Sequence, residues 1–466
     1  MPAGGSPGTG VDHRLRPVHP FPVDRSGSSR SAGARGISRG TTMTVDDGRS
    51  RVQGPLGPAG RAPAPDLARG FMLLLIVLAN TPFYLYGRAH SEAGFHPVDG
   101  SVADKIVQAV LITGVDMRVY PMFAFLFGYG LAVIHRRQGA AGVAEPEAFR
   151  LLQRRNLWLL VFGFVHALLL WGGDILGAYG LCGLVLVWLF LRRADRTLLI
   201  WAGIGTALLL LFAVFSALGA VAVLTSGGGA QVAGGMPDFM TASASAENPL
   251  AAAGSRLVLW PMLVVGQGLL GMAVPVAVLL GFWSARRMLL ERPGEHRRLL
   301  WIVAVGGIAI GWAGGLPHAL AHIGVISGLD QVMWAFSGTQ VATGLACGVG
   351  YVALFGLIGD RLTGRPLGPV GSAVSAVGKR SMTSYLGQSV LCAPLLAAWG
   401  FGLGAVLDSA TMALFAVAVW LVTVAFAVWL ERRGKPGPAE SLLRRLVYRE
   451  RQPAPAHEAS DRTPTG

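Results

Sequence analysis

The chain has 466 residues, 52% of them apolar and 14% charged, with a formal charge of +14. So low a charged fraction excludes an ordinary soluble domain, in which about a quarter of residues are charged. The basic excess does not point to nucleic acid either, because the arginines cluster between long apolar runs, as in a helical membrane protein.

Residues 1–62 are rich in Gly, Ser, Pro and Arg and contain no apolar run of signal-peptide type. They cannot bury a core and read as a disordered basic tail, or as an extension ahead of a start at Met43. Residues 63–430 read as an all-α, polytopic transmembrane domain of about ten spans. These fall near 67–87, 115–134, 156–172, 174–191, 198–224, 257–284, 299–321, 333–358, 383–400 and 409–430. Residues 101–113 suit an amphipathic helix at the interface, and 225–255 form one long outer loop rich in Gly and Ala. No internal repeat and no pair of broken helices is evident. Residues 431–466 form a tail with a short amphipathic helix, whose apolar face is Leu442, Leu443, Leu446 and Val447. Cys182, Cys347 and Cys392 lie in apolar runs and read as small membrane residues.

Orientation follows from the basic residues. With the N-terminus inside, 35 of the 39 lysines and arginines lie in the tails and in alternate loops; the others are Arg88, Lys105, Arg118 and Arg256. The positive-inside rule therefore makes both termini cytoplasmic and turns the Gly172–Gly173 hairpin outward.

Polar residues at membrane depth are functional candidates, since burying them in hydrocarbon is costly. Asp66 and Arg69 share a helix face at the inner end of the first span and suit a local ion pair. Asn80 lies about 21 Å further along the axis and suits helix–helix bonding or a substrate oxygen. Asp116 and Arg118 open the second span at its outer end, and Arg118 needs an anionic partner, Asp116 or Asp174. His166 lies about 9 Å below the outer hairpin, and Asp174 directly follows it. Such a pair suits a general base, or a neutral imidazole bonded to a neighbouring carbonyl. His318 and His322 are four apart on one face, with no third ligand at local spacing, so no metal is expected. In the ninth span Lys379 and Arg380 precede a polar stripe of Ser381, Ser384, Tyr385 and Gln388. That stripe suits interhelical hydrogen bonds, or a polar channel with cations for phosphate at its mouth. No glycine-rich nucleotide loop is present.

The stretches DLARGFMLLLIVLAN, FAFLFGYG, GFVHALLLWGGDILGAYGL, GKRSMTSYLGQS and GPAESLLRRLVY occur in order between Ala64 and Arg449. Together they resemble the YeiB-type family of bacterial membrane proteins, a domain of unknown function. That family is in turn similar to the transmembrane acyltransferase superfamily, which includes heparan-alpha-glucosaminide N-acetyltransferase. The resemblance implies acyl transfer from cytoplasmic acyl-CoA to an acceptor, often outside the cell. Asn80 matches the asparagine closing the first-span motif. The superfamily's histidine lies soon after the first span, where this chain has His90 and His96 rather than His166.

The expected function is thus acyl transfer to an envelope glycan or lipid. Acyl-CoA would enter near Arg69, Lys379, Arg380, Tyr385 and Gln388. His166 or His96 would serve as base and Arg118 or Asn80 would hold the oxyanion, with Asp174 and Asp116 as further candidates for the site. One alternative is a transporter or export factor with His166 and Asp174 as a proton-linked pair. The other is a non-catalytic scaffold whose basic tails meet membrane lipid.

Overall fold

The computed structural model describes residues 63–90, 95–226 and 236–448. The tail at 1–62 with Met43, and residues 449–466, lie outside these. Fifteen α-helices account for most of the described chain, and no strand occurs among the described residues. In order they are α1 (Pro63–Asn80), α2 (Val102–Gly114), α3 (Val119–Ala140), α4 (Glu145–Leu169), α5 (Ile175–Phe190), α6 (Asp195–Ser226), α7 (Met236–Ser245) and α8 (Pro249–Val265). There follow α9 (Ala273–Arg286), α10 (Arg297–His322), α11 (Phe336–Leu362), α12 (Pro369–Lys379), α13 (Ser381–Leu396), α14 (Ser409–Arg432) and α15 (Pro438–Val447). Among the described residues, seven helical stretches are long and apolar enough to cross a membrane, and α5 and α9 are shorter apolar helices. The protein is an all-α membrane protein by these measures.

A central bundle of α1, α3, α5, α9 and α11 carries the main core, from Met72 and Leu73 through Phe125 to Tyr179 and Phe282. Helices α6 and α10 pack on it and turn long apolar faces outward, with Leu210, Phe215, Ile302 and Trp312 all exposed. An exposed apolar face on a helix of this length suits contact with lipid.

Four sequence expectations need correction. The span expected at 257–284 is broken: α8 ends in a π-helical turn at Gly266–Leu270, and Met272 takes φ +55° before α9 begins. Glycines at 266, 268 and 271 flanking Gln267 allow this irregular turn where a continuous helix was expected. The span expected at 383–400 is α13, which stops at Leu396 and is set off from α12 where Arg380 leaves helical geometry at φ −121°, ψ 37°. In the loop expected at 225–255, α7 and the start of α8 are helical, as the alanine content favours. On α15, Val447 is buried and Leu443 packs on the core, but Leu442 is exposed, one position off the covered face.

Helix α2 is amphipathic, with Val102, Ile106 and Val110 exposed at four-residue spacing. Its opposite face buries Asp104 and Gln108 against neighbours. Ser101 and Asp104 form a reciprocal capping box, and Asp104 also accepts from Ala410 N at 2.8 Å. Thus its polar face turns inward, the inverse of a helix lying on a soluble surface.

Candidate functional site

At the C-terminal end of α1 lies a cavity of about 200 Å³, lined by Asn80, His96, Asp116, Ser243 and Gln267 among apolar and aromatic neighbours. Phe83, Phe95, Tyr120 and Trp171 supply its rings. His96 is 3% exposed, and its Nε2 lies 2.7 Å from Asp116 Oδ2. A carboxylate accepts only, so Nε2–H donates, and in the neutral form of the ring the lone pair lies on Nδ1. That Nδ1 is buried without a hydrogen-bond partner. Asp116 therefore sets the tautomer and leaves one basic nitrogen free, the arrangement a general base needs.

A second pair stands one layer behind. His166 Nδ1 lies 2.8 Å from Asp174 Oδ1, and both side chains are almost wholly buried. Asp174 Oδ2 accepts from Gly177 N at 2.6 Å, so the same carboxylate caps α5. His166 Nε2 is buried and unpartnered, and the ring sits 5.1 Å, centroid to centroid, from Tyr385. The close approach of α4 and α5 rests on Gly163, where a Cβ would collide with Gly177 N and Asp174 Oδ2. Neither His166 nor Asp174 lines the 200 Å³ cavity, whose wall here is Gly172, Gly173 and Ile175.

Arg118 is fully buried, and the expected carboxylate partner is absent. Its guanidinium donates to the side chain of Gln340, to Gly311 O at 2.7 Å and to the main-chain carbonyl of Asp116 at 2.5 Å. The Asp116 carboxylate is committed to His96 and that of Asp174 to His166. Room for the guanidinium exists because Gly315 of α10 has no Cβ; one there would meet Arg118 Nη2. Gln340 passes the network on, donating to His318 Nδ1 at 2.8 Å. His322 donates from Nε2 to Pro97 O at 3.1 Å. His96, His318 and His322 are thus neighbours, yet no group of three ligating side chains fit for a metal occurs among the described residues.

The opposite end of α1 opens on a cavity of about 690 Å³ lined by Arg69, Arg137, Arg155, Lys379, Arg380, Lys435 and Arg444. Asp66 lies 3.7 Å from Arg69, as their spacing leads one to expect. Glu431 bridges Lys379 and Arg380 at 2.7 Å each. Helix α15 borders this cavity, and its Glu440 accepts from Met382 N and from the Thr383 hydroxyl at the start of α13. Tyr385 and Gln388 do not line it: they lie deeper, beside Asn80, Tyr84 and Trp171, and Gln388 donates to Leu73 O at 3.1 Å. Their placement favours interhelical bonding over contact with a ligand in the basic cavity.

Along α3 the two cavities are neighbours, Tyr120 lining one and Phe123 the other. Tyr179 touches both of these α3 residues. Its ring stacks on Phe123 at 5.0 Å and its hydroxyl donates to Tyr120 O at 2.7 Å.

Sequence reasoning passed over Gln267, Ser243, Gln340 and Tyr179. Gln267 and Gln340 carried a usable signal, an amide inside an apolar run. Ser243 carried none, because its loop gave no sign of folding back on the bundle.

Comparison with known proteins agrees with this architecture. The profile of the family described as "Protein of unknown function (DUF418)" matches residues 284–450. The chain is 28% identical over 421 residues to the uncharacterized protein YxaH of Bacillus subtilis (strain 168), spanning 83% of this chain and 94% of that one. It is 27% identical over 412 residues to the uncharacterized protein YeiB of Escherichia coli (strain K12), spanning 84% and 97%. An uncharacterized 39.9 kDa protein of Bacillus acidopullulyticus is 25% identical over 401 residues, spanning 83% and 94%. Matches of this length, with the helical membrane architecture beneath them, support a YeiB-like family for this chain.

Proposed function

We propose that the protein transfers an acyl group from a cytoplasmic acyl-CoA to a hydroxyl or amine of a cell-envelope acceptor. The observation that carries this is the His96–Asp116 pair, bonded at 2.7 Å and lining a cavity together with Asn80. His96 Nδ1 takes the acceptor proton as the acceptor oxygen or nitrogen attacks the thioester carbon. The C–S bond breaks, and the CoA thiolate leaves and takes up the proton. In this reading the Asn80 amide donates to the oxyanion formed in between.

Arg69, Arg137, Arg155, Lys379 and Arg380 around the larger cavity suit the phosphates of CoA. The basic-residue count supports the cytoplasmic side for this cavity and the opposite side for the His96 cavity. In this reading the pantetheine arm carries the thioester past Tyr179 to His96, and His166 and Asp174 are supporting residues.

Purified protein in lipid nanodiscs, given radiolabelled acetyl- or palmitoyl-CoA and cell-envelope extract, should form a labelled acceptor. His96→Ala should slow that reaction by about 10²–10⁴-fold, the usual weight of a general base. Failure of acyl-CoA in excess to bind or to be consumed would overturn the proposal.

The break at Gly266–Met272 favours a second reading, since interrupted helices beside a buried cavity are a feature of transporters. Proton-linked uptake into proteoliposomes, with its pH dependence lost in His166→Ala, would select that reading.

A further inference from the structure

The cavity of about 690 Å³ holds its cations in two different ways. Arg155 stands over the Phe127 ring at 5.6 Å, and its Nη1 is buried without a hydrogen-bond partner. Lys379 and Arg380, by contrast, are already taken. The two carboxylate oxygens of Glu431 accept from Lys379 Nζ and from Arg380 Nη1, each at 2.7 Å. All four residues line the same cavity. An anion that enters therefore meets one cation in want of an acceptor and two that a carboxylate of the chain itself occupies.

The bonds around Glu431 separate what can move from what is fixed. Arg380 donates from Nε and Nη2 to Lys435 O at 3.1 and 2.6 Å, and from Nη1 to Ala376 O at 3.2 Å. Glu440 accepts from Met382 N at 2.8 Å and Thr383 N at 3.1 Å, which fastens α15 to the start of α13. None of these bonds passes through Glu431. The guanidinium and α15 thus keep their places when Glu431 lets go, and rotation of one side chain is enough. The Glu431 side chain is 38% exposed, against 23% for Lys379 and 6% for Arg380, so the released carboxylate turns to water while both cations stay on the cavity wall. A half-exposed ion pair of this kind is weak enough to exchange. Another single carboxylate would gain nothing by taking its place. A diphosphate brings more charge and more acceptor oxygens, and cations are strong partners for phosphate.

We infer that Glu431 is an internal competitor in the basic cavity, holding Lys379 and Arg380 together and yielding them to the diphosphate group of an incoming ligand. This rests on the reading that the cavity receives a substrate's phosphates. Glu431 keeps two like charges paired side by side, and its return to them favours departure of the spent carrier.

The test is equilibrium binding of ³²P-labelled pyrophosphate to the full chain in phosphatidylcholine nanodiscs at fixed ionic strength. The parent should bind it saturably, acetate should not displace it, and Glu431→Gln should bind it about tenfold more tightly, the weight of one charge-assisted contact. A residue that merely held the two cations in place would shift affinity the other way on removal. If Glu431→Gln does not fold, Glu431→Asp carries the comparison and should tighten binding by a smaller factor. Adenosine diphosphate and farnesyl diphosphate, used as competitors, distinguish a soluble carrier of the group from a lipid one. Displacement by either supports the inference, and displacement by neither overturns it. Binding that Glu431→Gln leaves unchanged or weakens sinks the competitor role alone, and so does binding seen only in the variant. Absence of binding in parent and variant alike sinks the phosphate reading of the cavity and the competitor with it. Loss of acyl-CoA turnover with these binding results intact sinks the transfer reaction alone.

Discussion

Two buried histidines among the described residues, His96 and His166, each have one nitrogen committed to a carboxylate, and the difference between them lies in where the other nitrogen points. His96 Nδ1 belongs to a residue on a cavity wall, whereas His166 Nε2 is enclosed behind it. Asp116→Asn keeps the shape but can present an amide N–H to His96 Nε2, which then loses its donor role, so the tautomer reverses. Transfer activity should fall by about 10²–10⁴-fold with little change in melting temperature, as when the orienting acid of a catalytic triad is neutralised. Asp174 has a different weight, since it caps α5 and binds His166 at once. Asp174→Ala should therefore lower stability by about 2–4 kcal/mol, combining a lost cap with a buried imidazole left unpaired. Thermal unfolding of the two variants in the same detergent should show the larger drop for Asp174→Ala.

Among the elements, the hairpin of α4 and α5 depends on how closely two helices approach. Gly163, Gly180 and Gly183 all stand where a Cβ would meet the partner helix, Gly163 against the Asp174 carboxylate itself. Gly163→Ala should cost about 1–3 kcal/mol, the range for overpacking a tight contact. It should also displace Asp174 from His166, visible as an altered His166 imidazole resonance. If the melting temperature and that resonance are both unchanged, the contact is looser than described. The broken element at Gly266–Leu270 makes the complementary point. Glycine-flanked Gln267 was visible as an amide in an apolar run, but hydropathy averages over the break and shows one continuous span.

For the whole molecule, the two cavities sit at opposite ends of α1, one basic and one with neutral amides and a His–Asp pair. Orientation decides which faces the cytoplasm. The clustering of arginine at one end predicts that both termini, Arg193 and His296 are inside and that Asn248 is outside. Cys182, Cys347 and Cys392 are free and buried, so background labelling should be low. In intact cells a membrane-impermeant maleimide should label a cysteine at Asn248 and spare one at His296. The reverse pattern would invert the assignment of both cavities.

The sequence by itself determined the class of the protein and most of its helices, because length and mean hydropathy of a segment are properties of contiguous residues. It also determined the local pairs: Asp66 with Arg69 three residues on, and His318 and His322 on one face. Only the tertiary structure decided partners that lie far apart in the chain. Arg118 goes to Gln340, 222 residues away, rather than to a nearby aspartate, since both nearby carboxylates are held by histidines. His96, ahead of α2, meets Asp116, just after it, and Gln267 and Ser243 reach the same space from two other elements. Hydropathy reports how much a segment prefers lipid, and it carries no information on which polar groups will share a cavity; that follows from packing of whole helices around glycines and breaks.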